Sequence, residues 1–277
     1  MLRVFAGALV LVLVALVVVY VRQYRGQPWV AYAAKPAWIR AGIYFCLCYL
    51  LSYASGGMEL LLTSPIATAD QLSNPRWIAA TVFVITFIAV AYGYVWVRYT
   101  VVFDRARTPW MSALFGLLWG SSSGQLFLAV WLFASKTELP TWGAWVLTYA
   151  VCAAWQPNWH NIYWDHYIAP EHDTRLTQRI KALGCHIPNL AISLTYLAIW
   201  DNYAIFVGLQ VLACVPPSIG MRFPAPWATS RELDLAHRSD ARIPRCTGYV
   251  SDDFLTDPYT PFYPGWHPAA DVTVSRE

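Results

Sequence analysis

The sequence predicts an all-α, polytopic membrane protein: a bundle of seven transmembrane helices. The chain has 277 residues, of which 57% are hydrophobic and 13% are charged, against about 45–50% and about 25% in soluble proteins. Its 15 Trp and 17 Tyr are typical of membrane interfaces. With a net charge of only +3, this composition excludes a disordered chain, a nucleic-acid-binding module and an ordinary cytosolic enzyme.

Apolar segments define the predicted spans, because a helix needs about 20 apolar residues to cross a membrane core of ~30 Å. Five of the seven segments are long enough without extension. The segments of the predicted fifth and sixth spans cross the membrane only if neighbouring residues are included. The first segment is interpreted as an uncleaved anchor, because its apolar core is long for a signal peptide. The predicted spans are residues 4–21, 41–62, 77–97, 110–133, 142–161, 182–200 and 203–221.

The distribution of basic residues predicts the orientation. With the N-terminus outside, sixteen of the nineteen Lys and Arg residues lie on the cytosolic side. We therefore expect a multi-pass protein of the cell (cytoplasmic) membrane, with a transmembrane domain over residues 1–221. Residues 222–277 form a cytosolic tail rich in Pro and aromatic residues, which we expect to fold back on the bundle. The six cysteines show no paired extracellular spacing, so we expect no disulfides.

Residues 156–173 hold the densest group of polar and aromatic side chains in the chain. Span five must extend to about His160 and span six must begin near Lys181, so His160 and His186 are expected at similar depth on adjacent antiparallel helices. Three interpretations stay open: an interfacial aromatic belt, general acid–base chemistry, or a transition-metal site. The spacing matches no standard metal motif, so no cofactor is favoured. The candidate ligands are His160, Asp165, His166, His172 and His186, and all but His172 are also secondary catalytic candidates.

Two acidic residues near the outer ends of spans are the main catalytic candidates. Glu59 lies late in span two, just after Gly56 and Gly57, which allow close helix approach. A carboxyl group buried in apolar surroundings can donate a proton at neutral pH. Asp201 lies at the junction of spans six and seven. The alternatives are that Glu59 reaches the outer interface and that Asp201 belongs to a short exposed loop.

Midway along span four, residues 120–125 read Gly-Ser-Ser-Ser-Gly-Gln. These residues either line an internal cavity together with the two acids or serve helix packing. Packing is the more usual role of small residues in membrane helices.

The arrangement resembles the small seven-span integral-membrane terpene cyclases of meroterpenoid pathways. The resemblance rests on chain length, on topology and on two acids: Glu59, followed by Leu-Leu-Leu-Thr-Ser-Pro at 60–65, and Asp201. In that family the catalytic acids are a Glu late in span two and an Asp at the start of span seven. The resemblance implies a metal-free cyclisation or isomerisation of a lipophilic isoprenoid, initiated by a proton from Glu59, with aromatic faces stabilising the carbocation.

Two other classes of function stay open. One is a membrane metalloenzyme, an oxygenase or a hydrolase, that uses the ligands of residues 156–173 together with His186. The other is a non-catalytic membrane subunit or lipid-binding scaffold, which would dock a protein through its aromatic residues. The expected partners are a lipophilic small molecule and the lipid bilayer, and no nucleic acid is expected.

Overall fold

The structure is a computed structural model that describes residues 34–97, 108–163, 175–220, 223 and 225–227. The predicted first span, residues 4–21, and nearly all of the tail over residues 222–277 lie outside these ranges. The expectations for that span and for the fold of the tail therefore stay predictions.

Every regular element in the described part of the chain is a helix, which confirms the all-α class there. Two of the elements are π-helical, with a wider turn than an α-helix. The helices are α1 (Ala34–Ser55), α2 (Gly57–Thr63), α3 (Ala69–Ser73), α4 (Pro75–Val90) continued by π1 (Ala91–Trp96), α5 (Pro109–Ser135), α6 (Thr141–Tyr163), α7 (Arg175–Lys181) continued by π2 (Ala182–His186), α8 (Ile187–Trp200) and α9 (Tyr203–Gly220).

Four helical stretches are long and apolar enough to cross a membrane, and the pair α1–α2 makes a fifth if it counts as one span. The chain is therefore compatible with an integral membrane protein. The four stretches match the predicted spans 77–97, 110–133, 182–200 and 203–221 closely, and α6 covers the predicted span 142–161. The four membrane-length stretches are Pro75–Trp96, Pro109–Ser135, Arg179–Trp200 and Tyr203–Gly220.

The predicted span 41–62 is not one straight helix, because the chain bends by 80° between Ser55 and Gly57. Gly56 has a φ of +86°, a left-handed conformation that glycine adopts at little cost and other residues rarely adopt. The Gly56 N–H donates to the Tyr53 carbonyl at 3.2 Å, and the Leu60 N–H donates to the Gly56 carbonyl at 3.1 Å. Gly56 thus ends α1 and begins α2 in a new direction.

Helix α5 is the centre of the described bundle. In its most apolar stretch 72% of the residues are buried, against 22% in the corresponding stretch of α4 and π1. It packs directly on the backbone of α9 through glycines spaced four residues apart, Gly116, Gly120 and Gly124. A Cβ atom added at Gly120 would lie 2.5 Å from the Cα of Val211. The two glycines of the 120–125 segment therefore serve helix packing, as the second interpretation expected, and all six of its residues are buried.

Candidate functional site

A chain of hydrogen-bonded side chains lies where the two π-helical segments meet. The Tyr92 hydroxyl on π1 is 3.0 Å from Nδ1 of His186 at the end of π2. The Asn189 amide donates to the same hydroxyl at 3.3 Å, and the Ser193 hydroxyl donates to the Asn189 carbonyl oxygen at 3.1 Å. Tyr92, Asn189 and Ser193 are buried and His186 is partly buried. We call these four residues the tyrosine–histidine network.

Local sequence explains why π2 forms at this place. Pro188 has no backbone N–H, and its ring would clash with the carbonyl four residues earlier, that of Gly184. The helix accommodates the proline with one wider turn, Ala182–His186, just before α8 begins. The neighbouring Cys185 thiol donates to the Ala91 carbonyl at 3.2 Å, which ties the two π-helical segments together. Such π-helical turns occur frequently at functional sites.

An indole ring and a buried lysine border the network. The Trp96 ring packs edge-on against the His186 ring, with their centroids 4.5 Å apart. The Lys181 ammonium lies 5.3 Å from the centroid of the same indole, and Lys181 is buried. A cation over an aromatic face is attracted by the ring quadrupole. The site therefore combines hydrogen-bond donors, one positive charge and an aromatic surface.

The chemistry available to the network is proton transfer. A histidine and a hydroxyl within 2.6–3.2 Å of each other meet the distance needed for a general acid–base pair, and the Tyr92–His186 separation of 3.0 Å lies in that range. The Asn189 amide holds the hydroxyl from a second direction, so the orientation of the pair is set by buried neighbours.

The structure places Glu59 in an exposed position on α2. The expectation of a buried carboxyl group is therefore not met, because the bend at Gly56 takes α2 away from the axis of α1. The Glu59 backbone carbonyl accepts a hydrogen bond from Thr63 at 2.8 Å, an ordinary bond within a helix. This placement agrees with the alternative in which Glu59 reaches an interface.

Asp201 lies in the turn between α8 and α9, as predicted, and its side chain is exposed. Its φ is +50°, and its N–H donates to the Leu197 carbonyl at 2.9 Å as the C-cap of α8. Asp201 lies fifteen positions after His186, or about 22 Å along the helix at 1.5 Å per residue. The structure therefore does not bring Asp201 and His186 into one site.

An amide clamp holds the turn that carries Asp201. The Gln71 side chain donates to the Trp200 carbonyl at 3.0 Å and accepts from the Asn202 amide at 3.1 Å. The same Gln71 oxygen accepts from the Thr68 N–H at 2.9 Å, which completes a capping box on α3. Helix α3 is thereby tied to the α8–α9 turn.

A second buried polar group runs along one face of α1, and sequence analysis missed it. Tyr44, Cys48, Ser52 and Ser55 recur at intervals of four, four and three residues, which places them on one helix face, and all four are buried. This spacing was the available signal. Two contacts join this face to α5: the Ser52 hydroxyl donates to Gln125 Oε1, and Lys136, which caps the end of α5, donates from Nζ to the Ser55 carbonyl at 3.1 Å. One contact joins it to α6: Trp155 Nε1 donates to the Tyr44 hydroxyl at 3.3 Å.

The candidate metal ligands are only partly described. His160 belongs to α6, but its side chain lies outside the described atoms, as do Asp165, His166 and His172. Among the described residues, no three metal-binding side chains form a group. Helices α6 and α8 pack against each other, and His186 ends π2 directly before α8. The expectation that His160 and His186 lie at similar depth stays a prediction.

Comparison with protein-family models, with curated proteins and with solved structures finds no match. The functional argument therefore rests on the residues and their geometry.

Proposed function

We propose that the chain is an integral, multi-pass membrane enzyme that moves a proton to or from a lipophilic, isoprenoid-type substrate, in a cyclisation or an isomerisation. The proposal includes seven spans in the cell membrane, with the N-terminus outside. The observation that supports it is the Tyr92–His186 pair, held at 3.0 Å between two π-helical segments.

Burial and neighbours favour this pair as the proton-transfer centre. Tyr92 and Asn189 are buried, so water has little access to the hydroxyl, and a dry site protects reactive intermediates from water. The Trp96 indole beside His186 offers an aromatic face that can stabilise positive charge on a substrate. In this proposal one member of the pair transfers a proton to or from the substrate, and the other member supplies or takes up that proton across their hydrogen bond. Asn189 and Ser193 orient the pair.

Glu59 and Asp201 remain candidate acids for the same class of reaction, as the resemblance to membrane terpene cyclases implies. They are both exposed, and Asp201 lies about 22 Å along α8 from His186. The two candidate centres are therefore far enough apart for single substitutions to separate them.

The test is product formation from prenylated substrates by the purified full chain in lipid nanodiscs. We expect His186→Gln and Tyr92→Phe to lower kcat by about 100-fold or more, the usual contribution of a general acid–base group. Tyr196→Phe is the matched control, because Tyr196 is a buried tyrosine between α8 and α4 whose hydroxyl contacts Thr81 at 2.7 Å. It should leave turnover unchanged.

Two outcomes contradict the proposal in different ways. If Glu59→Gln abolishes turnover while His186→Gln keeps it, the enzyme class stands and the proton-transfer centre lies at Glu59. If folded protein turns over no prenylated substrate, the enzymatic proposal itself is wrong.

Elemental analysis of the chelator-washed protein addresses the metalloenzyme alternative. About one equivalent of copper, iron or zinc per chain that is lost in His160→Ala would make residues 156–173 the centre of the chemistry. We expect the wild-type protein and His160→Ala to have the same metal content, because the proposed reaction needs only proton transfer.

A further inference from the structure

A buried phenylalanine just beyond helix α9 ties the end of that helix to the beginning of α5. Phe223 lies three residues after the end of α9 and is fully buried. Its ring stacks on that of Phe115, with the centroids 3.8 Å apart. The Ser112 hydroxyl donates to the Phe223 carbonyl at 2.7 Å, and the Phe223 N–H donates to the Ser218 carbonyl at 3.0 Å. Its side chain and both of its backbone groups therefore hold Phe223 in place.

The end of α9 depends on such outside contacts because it contains two consecutive prolines, Pro216 and Pro217. Neither proline has the N–H that would donate to the carbonyl four residues earlier. The last turn of α9 is therefore held by fewer hydrogen bonds of its own than an ordinary helix end. A buried aromatic anchor directly after this turn adds a restraint that the helix itself does not provide.

The same end of α9 packs against π1, the segment that carries Tyr92. A Cβ atom added at Gly220 would lie 2.6 Å from Val97 Cγ1, and one added at Gly93 would lie 3.7 Å from the Pro216 Cβ. The two segments therefore approach each other closely at both places. Since Gly93 directly follows Tyr92, a movement of the α9 end displaces the backbone that carries the Tyr92 hydroxyl.

These contacts lead from the first residues of the tail to the tyrosine–histidine network. We propose that Phe223 is a positioning residue: it holds the proline-containing end of α9 against π1, and so keeps the Tyr92 hydroxyl within hydrogen-bond distance of His186. Chains of packed side chains and rigid helices carry energetic coupling of this kind. The effect of Phe223 on turnover rests on the proposed function, whereas its effect on the geometry of the pair does not.

A purely structural role for Phe223 predicts a different result. A ring that only closes the end of the bundle would contribute to stability, and the Tyr92–His186 separation of 3.0 Å would be the same without it. The informative measurement therefore reports the hydrogen bond itself. The nitrogen-15 NMR signal of His186 Nδ1 does so in the full chain in lipid nanodiscs, with Tyr92→Phe as the reference for a lost bond.

Phe223→Ala removes the anchoring ring. Trp227→Ala is the matched control, because Trp227 is an aromatic residue of the same segment that is 66% exposed. We expect the His186 signal in Phe223→Ala to shift toward its position in Tyr92→Phe, and to keep its wild-type position in Trp227→Ala. With a prenylated substrate, kcat should fall about tenfold in Phe223→Ala, within the range for coupling through packed contacts.

A second variant perturbs the contact between α9 and π1 directly. Gly220→Ala places a methyl group 2.6 Å from Val97 Cγ1 and 2.8 Å from Val97 Cγ2, so the two segments must move apart. It should shift the His186 signal in the same direction as Phe223→Ala does. Combining it with Val97→Ala removes both clashing methyl groups and should restore the wild-type signal. If Phe223→Ala does not fold, this pair of variants decides the question.

The positioning proposal is wrong if folded Phe223→Ala or Gly220→Ala keeps the wild-type His186 signal, or if Trp227→Ala shifts that signal equally. Phe223 would then only close the end of the bundle. A wild-type protein that turns over no prenylated substrate contradicts the proposed function and leaves the NMR result standing. A shifted signal with unchanged kcat likewise supports positioning and shows that the pair is not the proton-transfer centre.

Discussion

Replacing Gly120 by alanine should destabilise the bundle strongly, although it adds a single methyl group. The added Cβ would lie 2.5 Å from the Val211 Cα and 2.7 Å from the Gln210 carbonyl oxygen. Carbon atoms pack best at about 3.5–4.0 Å, so α5 and α9 must move apart by roughly 1 Å. Both contacted atoms belong to backbone, so no side-chain rotation relieves the clash.

The expected loss for Gly120→Ala is about 3 kcal/mol of unfolding free energy, the upper part of the range for overpacking. Gly124→Ala should cost less, since its nearest contact is a Val207 side-chain methyl at 2.9 Å. Gly208→Ala is the control on α9, where the new methyl group meets nothing within 4 Å. There the substitution should be neutral or stabilise by about 0.5–1 kcal/mol, as alanine favours a helix over glycine.

Reversible unfolding in mixtures of mild detergent and dodecyl sulfate, followed by circular dichroism, measures these differences. The reasoning would be refuted if Gly120→Ala were as stable as the wild type or no less stable than Gly208→Ala. Residues 120–125 would then have room beside them, and the cavity interpretation of this segment would return.

Two further substitutions test other parts of the fold in the same assay. Gly56→Ala should lower the free energy of unfolding by about 1–2 kcal/mol, because Gly56 has a left-handed φ of +86°. Gly42→Ala is the control: its added Cβ is equally unobstructed, so this variant should not be destabilised. Equal stabilities of the two variants would contradict the bend at Gly56. Gln71→Ala should cost about 1–2 kcal/mol, because it leaves hydrogen-bonding groups of the α8–α9 turn without a partner. Faster hydrogen exchange at Asn202 is the local signature of that loss, and unchanged exchange would show that the clamp does not hold the turn.

The length and position of the apolar segments in the sequence predicted most of the described helices well. Predicted spans 110–133 and 203–221 differ from the observed Pro109–Ser135 and Tyr203–Gly220 by two residues or fewer at each end. The physical reason is that a membrane helix satisfies its own backbone hydrogen bonds, so its extent follows from local composition. The break in span 41–62 escaped this reasoning, because Gly56 and Gly57 are equally consistent with close packing and with a left-handed turn.

The tyrosine–histidine network could be predicted only in part. His186 was a candidate from its position near the start of span six, but its partner Tyr92 is 94 residues away in the sequence. Pairing at that separation depends on how two helices meet, which one sequence does not show. Pro188 was a usable local signal, because a proline inside a membrane helix displaces a backbone bond and widens or bends the turn before it.

The two sets of candidate residues differ most in how far the described part of the protein covers them. The acids suggested by the resemblance, Glu59 and Asp201, are exposed, whereas the hydroxyl that contacts His186 is buried and bonded from two sides. A reaction through a carbocation requires exclusion of water, and a proton-transfer pair requires fixed geometry. Both requirements favour Tyr92 and His186 as the proton-transfer centre of the proposed reaction.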